Sequence, residues 1–562
     1  MSGKYSTTLV HRFLHWERVQ PDAIYLTEST PEGRIADYTR REAGDEARRM
    51  AAWLRTQALP PKSAIAIMGK NSAHWIIADL AIWLAGHVSV PLYPGASAAT
   101  TRYVLEHCDV RLTFVGKLDA AAEGWNAVRD AMQSHAPLVA LPMSPPLPEA
   151  TQWRDIVEQH APLQDVHLPQ PDELATIIYT SGSAGEPKGV MHSFGAIYAY
   201  AVESGAFCDF GTSDRVLSYL PLAHTAERSF VESNSLCHGF RVFFNDSLAT
   251  FSQDLQRARP TAFISMPRLW TRFYQAVMGQ LSVSQQALVH ETSPAGDALR
   301  KHILAMLGLD AARLAFTGSA PLPTEITAWY RALGLELLDV YGMTENFSYS
   351  HYSRPGQVRP GYSGQAMPGV ECRIDDTGEI LLKSPTMMLG YYRQPDLTAQ
   401  SRTEDGFFRT GDCGELDEAG RLKITGRVKE IFKTSKGKYV APTPIENLLS
   451  HPKVESVCVT GAGYPQPFAL LLISAAAREE LFDTRSREAL QIEMAALLET
   501  ANAKLEKHEK LAFVVVVKES WTAENGCLTP TMKMRRRVIE ERYMPLATKW
   551  AERGEPVIFE DA

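Results

Sequence analysis

The chain has 562 residues, enough for about three or four domains at roughly 100–200 residues each. Its 57 basic and 65 acidic side chains give a formal charge of −8, which excludes a general nucleic-acid binder relying on surplus cations. Charged residues at 22% and hydrophobic ones at 45% exclude disordered, collagen-like and disulfide-scaffold classes.

The segment up to Gln20 carries Lys4, Arg12, Glu17 and Arg18 and has no apolar signal region. Seven cysteines are scattered singly with no CxxC pair; this fits a reducing compartment, and a cytoplasmic location is expected. The residues predict strands over 63–68 and 88–92 flanking a helix over 74–85. A helix over 99–108 and a strand over 111–115 follow. The most apolar run, Trp75 to Leu92, is broken by Asp79, Gly86, His87 and Pro91, so it reads as buried helix and strand rather than a membrane span. Residues 140–170, rich in Pro and polar side chains, read as linking loops. A strand over 173–180 leads into a Gly-rich turn and a helix over 194–205. Short strands are predicted over 261–265, 313–317 and 336–340, then over 379–383, 414–417 and 422–425. The last part reads as a compact α+β unit, with strands over 454–460, 468–473 and 511–517 and a helix over 487–505. This alternation predicts an α/β fold, with a boundary near Gly426–Lys429.

The strongest local signal is Tyr179-Thr-Ser-Gly-Ser-Ala-Gly-Glu-Pro-Lys-Gly-Val190. Gly182, Gly185 and Gly189 allow close backbone approach to an anion. Thr180, Ser181 and Ser183 add hydroxyl donors, and Lys188 adds charge, a make-up suited to polyphosphate. By composition alone it could equally be a flexible surface loop. It is not a Walker loop, because Gly189 follows Lys188 where Ser or Thr would stand.

In order, the segment resembles the phosphate loop of the adenylate-forming superfamily of acyl-CoA synthetases, peptide-synthetase adenylation domains and luciferase. Ala184 stands where that family has Thr. Further segments resemble the same family. In Tyr341-Gly-Met-Thr-Glu345, the resemblance implies that Tyr341 packs on adenine, that Gly342 belongs to the nucleotide site, that Thr344 contacts the α-phosphate and that Glu345, with Thr180, holds Mg²⁺. Thr317-Gly-Ser-Ala-Pro-Leu-Pro323 resembles the adenine wall, giving Gly318, Ser319 and Ala320. Arg409-Thr-Gly-Asp412 resembles the ribose clamp, with Asp412 accepting from the ribose. Gly426-Arg-Val-Lys-Glu430 resembles the hinge, with Arg427 on ribose or phosphate and Lys429 as pivot. Thr434-Ser-Lys-Gly-Lys-Tyr-Val-Ala-Pro442 resembles the pantetheine-tunnel loop. It holds Gly437, with Lys436-Gly437 where relatives often carry Gly-Gly.

Leu528-Thr-Pro-Thr-Met-Lys533, followed by Arg535, Arg536 and Arg537, is locally basic. Such a run reads by default as solvent-exposed or weakly drawn to anionic lipid. It also resembles the long-chain synthetase segment whose lysine bridges carboxylate and α-phosphate, which makes Lys533 the catalytic candidate, with Lys504 and Lys510 as remote alternatives. Leu220-Pro-Leu-Ala-His-Thr-Ala-Glu-Arg228 resembles the segment beside the acyl carboxylate. His224 is either near the adenylate junction or a satisfied core histidine. The apolar stretch 229–244 is either an acyl-tunnel wall or plain core.

The resemblance implies an α/β fold of the acyl-CoA synthetase type. A large adenylation domain with a β-barrel-like part spans residues 1–428, and a small mobile α+β domain spans 429–562. It also implies ATP-dependent activation of a medium- to long-chain fatty acid through acyl-AMP to acyl-CoA, an acid–thiol ligase reaction using ATP, Mg²⁺ and coenzyme A. The alternatives are an acyl-AMP ligase loading an acyl-carrier protein and a non-catalytic acyl-nucleotide binder. Expected partners are the fatty acid and the thiol acceptor, without nucleic acid and with at most peripheral membrane contact.

Overall fold

A computed structural model describes residues 5–30, 32–119, 124–180, 186–318, 320, 322–480, 484–522, 525–529 and 534–560. The chain divides into two compact units. The first is Met1–Ala320, Ile326–Glu371 and Leu382–Phe408; the second is Pro321–Glu325, Cys372–Leu381 and Arg409–Ala562. Contact thus assigns residues 409–428 to the second unit, before the expected boundary at 428. The reason is local: the hairpin Phe408–Leu416/Leu422–Arg427 packs against the helix Pro442–Leu448.

The first unit is built on an eight-stranded sheet. Its order is Gly390–Tyr391, Lys188–Ser193, Leu174–Thr180, Val88–Leu92, Ala64–Met68, Leu112–Val115, Leu138–Ala140 and Thr151–Gln152. The strand Ala64–Met68 is parallel to both its neighbours and wholly buried, as apolar strands covered on both faces are. The helix Ala73–Ala85 follows it. Ser72 caps the helix by accepting from the Trp75 N–H, and Gly86, at φ +88°, ends it. All residues from Ala73 to Leu84 are buried, which settles the apolar run as core; no described helix is long and apolar enough to cross a membrane.

Two more sheets complete the unit. One orders Arg215–Ser218, Arg241–Phe244, Ile24–Ser29 and Ile35–Thr39; the other orders Ala262–Ser265, Leu314–Gly318, Leu337–Tyr341, His351–Tyr352 and Gln365–Ala366. The region 140–170, expected as linking loops, contains the helix Trp153–Gln159. Trp153 and Ile156 are each 2% exposed, and the Trp153 indole N–H donates to Glu46 at 2.8 Å.

In the second unit, Val454–Thr460, Phe468–Ile473, Val514–Val516 and Val557–Phe559 form a sheet in that order. All six residues of Phe468–Ile473 are buried. Ala469, Leu471 and Ile473 face the helix Thr484–Asn502 through Leu490, Met494 and Leu498. Phe468, Leu470 and Leu472 face the helix Arg536–Arg553 through Ile539, Tyr543 and Trp550. The side-chain period of two thus buries both faces of one strand. All seven cysteines of the chain are free.

Candidate active site

The phosphate-loop segment closes a β-hairpin. Leu174–Thr180 and Lys188–Ser193 pair antiparallel, and the last pair in register is Thr180 with Lys188. Ser181, Gly182, Ser183 and Gly185 lie outside the described residues. A Cβ at Gly189 would stand 2.8 Å from Ile177 Cγ2 and 3.1 Å from the Tyr179 ring, so glycine is needed there for the hairpin to close. The Tyr179 hydroxyl meets His107 Nδ1 at 2.5 Å and Cys108 Sγ at 3.2 Å, anchoring the end of the strand.

The Tyr341 segment follows the strand Leu337–Tyr341, and the adenine-wall segment follows Leu314–Gly318. These strands are parallel neighbours with Gly318 opposite Val340, which brings Gly318 beside Tyr341. Two close approaches explain their glycines. A Cβ at Gly318 would be 2.8 Å from the Val340 carbonyl oxygen, and one at Gly342 would be 2.4 Å from the Ser348 carbonyl carbon. Ala320 is exposed; Ser319 lies outside the described residues.

Thr344 and Glu345 sit in the 3₁₀ turn Thr344–Asn346, and four contacts hold this turn. His192 Nε2 donates to the Thr344 carbonyl at 2.8 Å; burial pushes this imidazole down to about 4, so it stays neutral. The Thr225 hydroxyl donates to Thr344 Oγ1 at 3.1 Å. The Met388 N–H donates to the Glu345 carbonyl at 2.8 Å, and the Tyr391 hydroxyl donates to Glu345 Oε1 at 2.8 Å. Lys188 Nζ lies 5.2 Å from the Tyr391 ring centroid, within cation–π range. The fold therefore gathers Thr180, Lys188, Thr344 and Glu345, and it adds His192, Thr225 and Tyr391, which sequence reading missed. Thr225 was within reach of that reading, since it directly follows His224 in a segment already singled out.

His224 is half-buried. Its Nδ1 accepts from the Ala226 N–H at 3.1 Å, capping the short helix Thr225–Glu227. Next to it, Glu227 is fully buried and accepts from the Ser218 hydroxyl at 2.7 Å and the Tyr219 N–H at 2.9 Å. Burial lifts its carboxyl from 4.5 to about 8. The folded chain thus keeps a proton that the unfolded chain releases, so stability falls as pH rises from 4.5 to about 8 and levels off above. Glu227→Gln is expected to flatten that fall in a series of thermal midpoints against pH. Midpoints that track the unmodified chain at every pH would show that Glu227 does not titrate in this window.

Arg228 opens a π-helical turn, Arg228–Ser233. Its guanidinium is paired with Asp79, lies 3.1 Å from Glu232, and donates to Thr176 Oγ1 at 3.1 Å and Ser89 Oγ at 3.0 Å. It also packs against Trp75 and Trp83, at 5.4 and 5.6 Å from their rings. The stretch 229–244 thus begins as densely bonded core.

In the second unit, Asp412 and Arg427 are opposite residues of one hairpin, with Arg427 Nε 3.2 Å from Asp412 Oδ1. Lys429 is exposed in the 3₁₀ turn Val428–Glu430. Gly437 takes φ +76° in the turn between Phe432–Lys433 and Tyr439–Val440, a conformation that favours glycine. Lys533 lies outside the described residues. The basic run after it departs from the solvent-exposed expectation at Arg536, which is 8% exposed. Arg536 pairs with Glu446 at 2.7 Å and Glu430 at 3.5 Å and donates to the Val459 carbonyl at 2.8 Å. These two carboxylates and the carbonyl compensate the buried charge.

No cluster of three or more His, Cys, Asp or Glu side chains that could hold a metal ion occurs among the described residues. Magnesium takes one or two carboxylates and fills its shell with phosphates and water. Glu345 fits that role: it is half-buried and, among the described residues, makes no ion pair that would neutralise it.

The family model described as AMP-binding enzyme matches residues 13–392, and that of the AMP-binding enzyme C-terminal domain matches 429–549. The chain is 30% identical to long chain acyl-CoA synthetase 6, peroxisomal, of Arabidopsis thaliana, over 96% of this chain and 86% of that one. It is 29% identical to the long-chain-fatty-acid–CoA ligase FadD15 of Mycobacterium bovis, over 96% of each. Among solved structures, the A domain of the Segniliparus rugosus carboxylic acid reductase, in complex with AMP and a co-purified carboxylic acid, superposes with TM-score 0.78. Its identity is 23%, over 97% of this chain and 94% of that one. The anthranilate CoA ligase AuaEII, in complex with anthranoyl-AMP, gives TM-score 0.77 at 20% identity, over 97% and 98%. The chain belongs to the AMP-binding enzyme family.

Proposed function

We propose that this chain is an AMP-forming ligase that activates a medium- to long-chain fatty acid with ATP and passes the acyl group to coenzyme A. The observation that carries the reading is the strapping of the Thr344–Asn346 turn beside the hairpin that ends in Thr180 and Lys188, through Tyr391. The names of relatives aligned over nearly the whole chain support a fatty acid as the substrate.

In the first half-reaction a carboxylate oxygen of the acid attacks the α-phosphorus of ATP, forming acyl-AMP and releasing pyrophosphate. We assign Thr180, Ser181, Gly182, Ser183, Gly185 and Lys188 to the phosphates. Gly318, Ser319, Ala320, Tyr341 and Gly342 go to adenine, Asp412 and Arg427 to ribose, and Thr344 and His224 to the junction. Because the Thr344 hydroxyl oxygen is met by the Thr225 O–H, its own proton is directed elsewhere, which suits donation to a phosphate oxygen. Glu345, with Thr180, would hold magnesium; bound there, the ion screens polyphosphate charge so that an anionic nucleophile can approach phosphorus. Replacing oxide by AMP as leaving group makes the acyl carbonyl open to a thiol. We further propose that 1–428 and 429–562 are the functional domains and that the second turns about Lys429 between half-reactions. It delivers Lys533 first and the Gly437 turn second. A cytoplasmic location with at most peripheral membrane contact belongs to the same proposal.

The test is ATP–pyrophosphate exchange with carboxylic acids graded by chain length, followed by thioester assay with coenzyme A and with an acyl-carrier protein. Exchange dependent on medium- to long-chain acids, with acyl-CoA as product, is expected. No exchange with any carboxylate would overturn the enzyme reading, and carrier loading without acyl-CoA would overturn the acceptor.

A further inference from the structure

Tyr391 lies outside every segment that carries the family resemblance, yet it touches two residues of the site. Its hydroxyl donates to Glu345 Oε1 at 2.8 Å, and its ring centroid is 5.2 Å from Lys188 Nζ. Its own place is well determined. It pairs with Val190 in the strand that begins at Lys188, its N–H donates to Thr398 Oγ1 at 2.9 Å, and it is 6% exposed.

Lys188 and Glu345 carry opposite charges on long side chains that both reach one tyrosine. Among the described residues neither makes an ion pair. A flexible ammonium and a carboxylate at this range would otherwise close on each other, removing the cation from phosphate and the anion from metal. We propose that Tyr391 is a positioning residue that keeps the two apart: its ring holds the Lys188 ammonium on the face, while its hydroxyl fixes one oxygen of Glu345 and leaves the carboxylate's charge uncancelled. The inference rests on the AMP-forming reading of this site and adds a residue that sets its magnesium and phosphate response separately.

Two variants separate the two contacts. Tyr391→Phe keeps the ring and removes the hydroxyl; Tyr391→Leu removes both. Calorimetric ATP binding would be measured with magnesium and with chelator, beside pyrophosphate exchange across a magnesium titration. A hydrogen bond to a charged acceptor corresponds to about a tenfold effect or more. Tyr391→Phe is therefore expected to raise the half-saturating magnesium concentration about tenfold, with metal-free ATP binding within about twofold of the unmodified chain. Tyr391→Leu is expected to weaken metal-free ATP binding about tenfold as well, because Lys188 falls onto Glu345. An unchanged magnesium dependence in the folded Phe variant, or unchanged metal-free binding in the folded Leu variant, would overturn the proposal. An unmodified chain that binds no ATP at all would overturn the site reading and this inference together.

Discussion

Lys533→Ala is expected to slow acyl-AMP formation by about 10²–10³-fold, the usual loss when one preorganised charge is withdrawn from a developing anion. Transfer from supplied acyl-AMP to coenzyme A should stay within a few fold of the unmodified chain. The asymmetry follows from the chemistry of the two steps. In the first, a carboxylate anion must approach a phosphorus ringed by anionic oxygens, and one cation touching both reactants lowers their repulsion and aligns them. In the second, the carboxylate no longer exists and the leaving group is AMP, so a lysine at the carboxylate has nothing left to neutralise. Pyrophosphate exchange reads the first step, and thioester formation from acyl-AMP reads the second. Equal loss in both would remove Lys533 from its assigned place. Lys504→Ala and Lys510→Ala in parallel decide between the candidates, and only the Lys533 variant should separate the half-reactions.

Where a site element is contiguous in sequence, it was legible. The hairpin around the phosphate loop is announced by an apolar run, a glycine-rich turn and a lysine, and the structure pairs Thr180 with Lys188. Gly318 and Gly342 were legible as motif members, but the reason for them was not: each faces backbone from another stretch of chain. Tyr391 was invisible because its partner Glu345 is 46 residues away and its segment forms only a two-residue strand, too short for any periodic signal. The buried Arg536 was misjudged because a run of four cations in five residues looks solvated. Its compensation by Glu430 and Glu446 exists only after folding. The helix Arg40–Thr56 could have been found, because Thr39 and Glu42 form its capping box, a signature readable at a spacing of three.

The other large effect is expected away from the nucleotide, at Arg228. Its guanidinium serves two carboxylates, Asp79 and Glu232, all three essentially excluded from solvent. Burial pushes the Asp79 carboxyl up and the adjacent guanidinium draws it back. Glu232 is pushed well up by burial, against the pull of the same guanidinium and with Asp79 adding to the rise. Of the two carboxylates, Asp79 is the nearer to the guanidinium. Arg228→Met keeps a side chain of similar length between Trp75 and Trp83 but strands Asp79, and removing one partner of such a pair costs about 3–5 kcal/mol. Against a total stability of about 5–15 kcal/mol, that loss should lower the denaturant midpoint of the larger unit sharply. It should also cost activity at temperatures the unmodified chain tolerates, because the turn carrying His224 and Glu227 runs directly into Arg228. Adding Asp79→Asn removes the stranded charge and is expected to recover at least half of the loss. A double variant no more stable than Arg228→Met alone would show that the guanidinium works by packing between the two indoles rather than by charge.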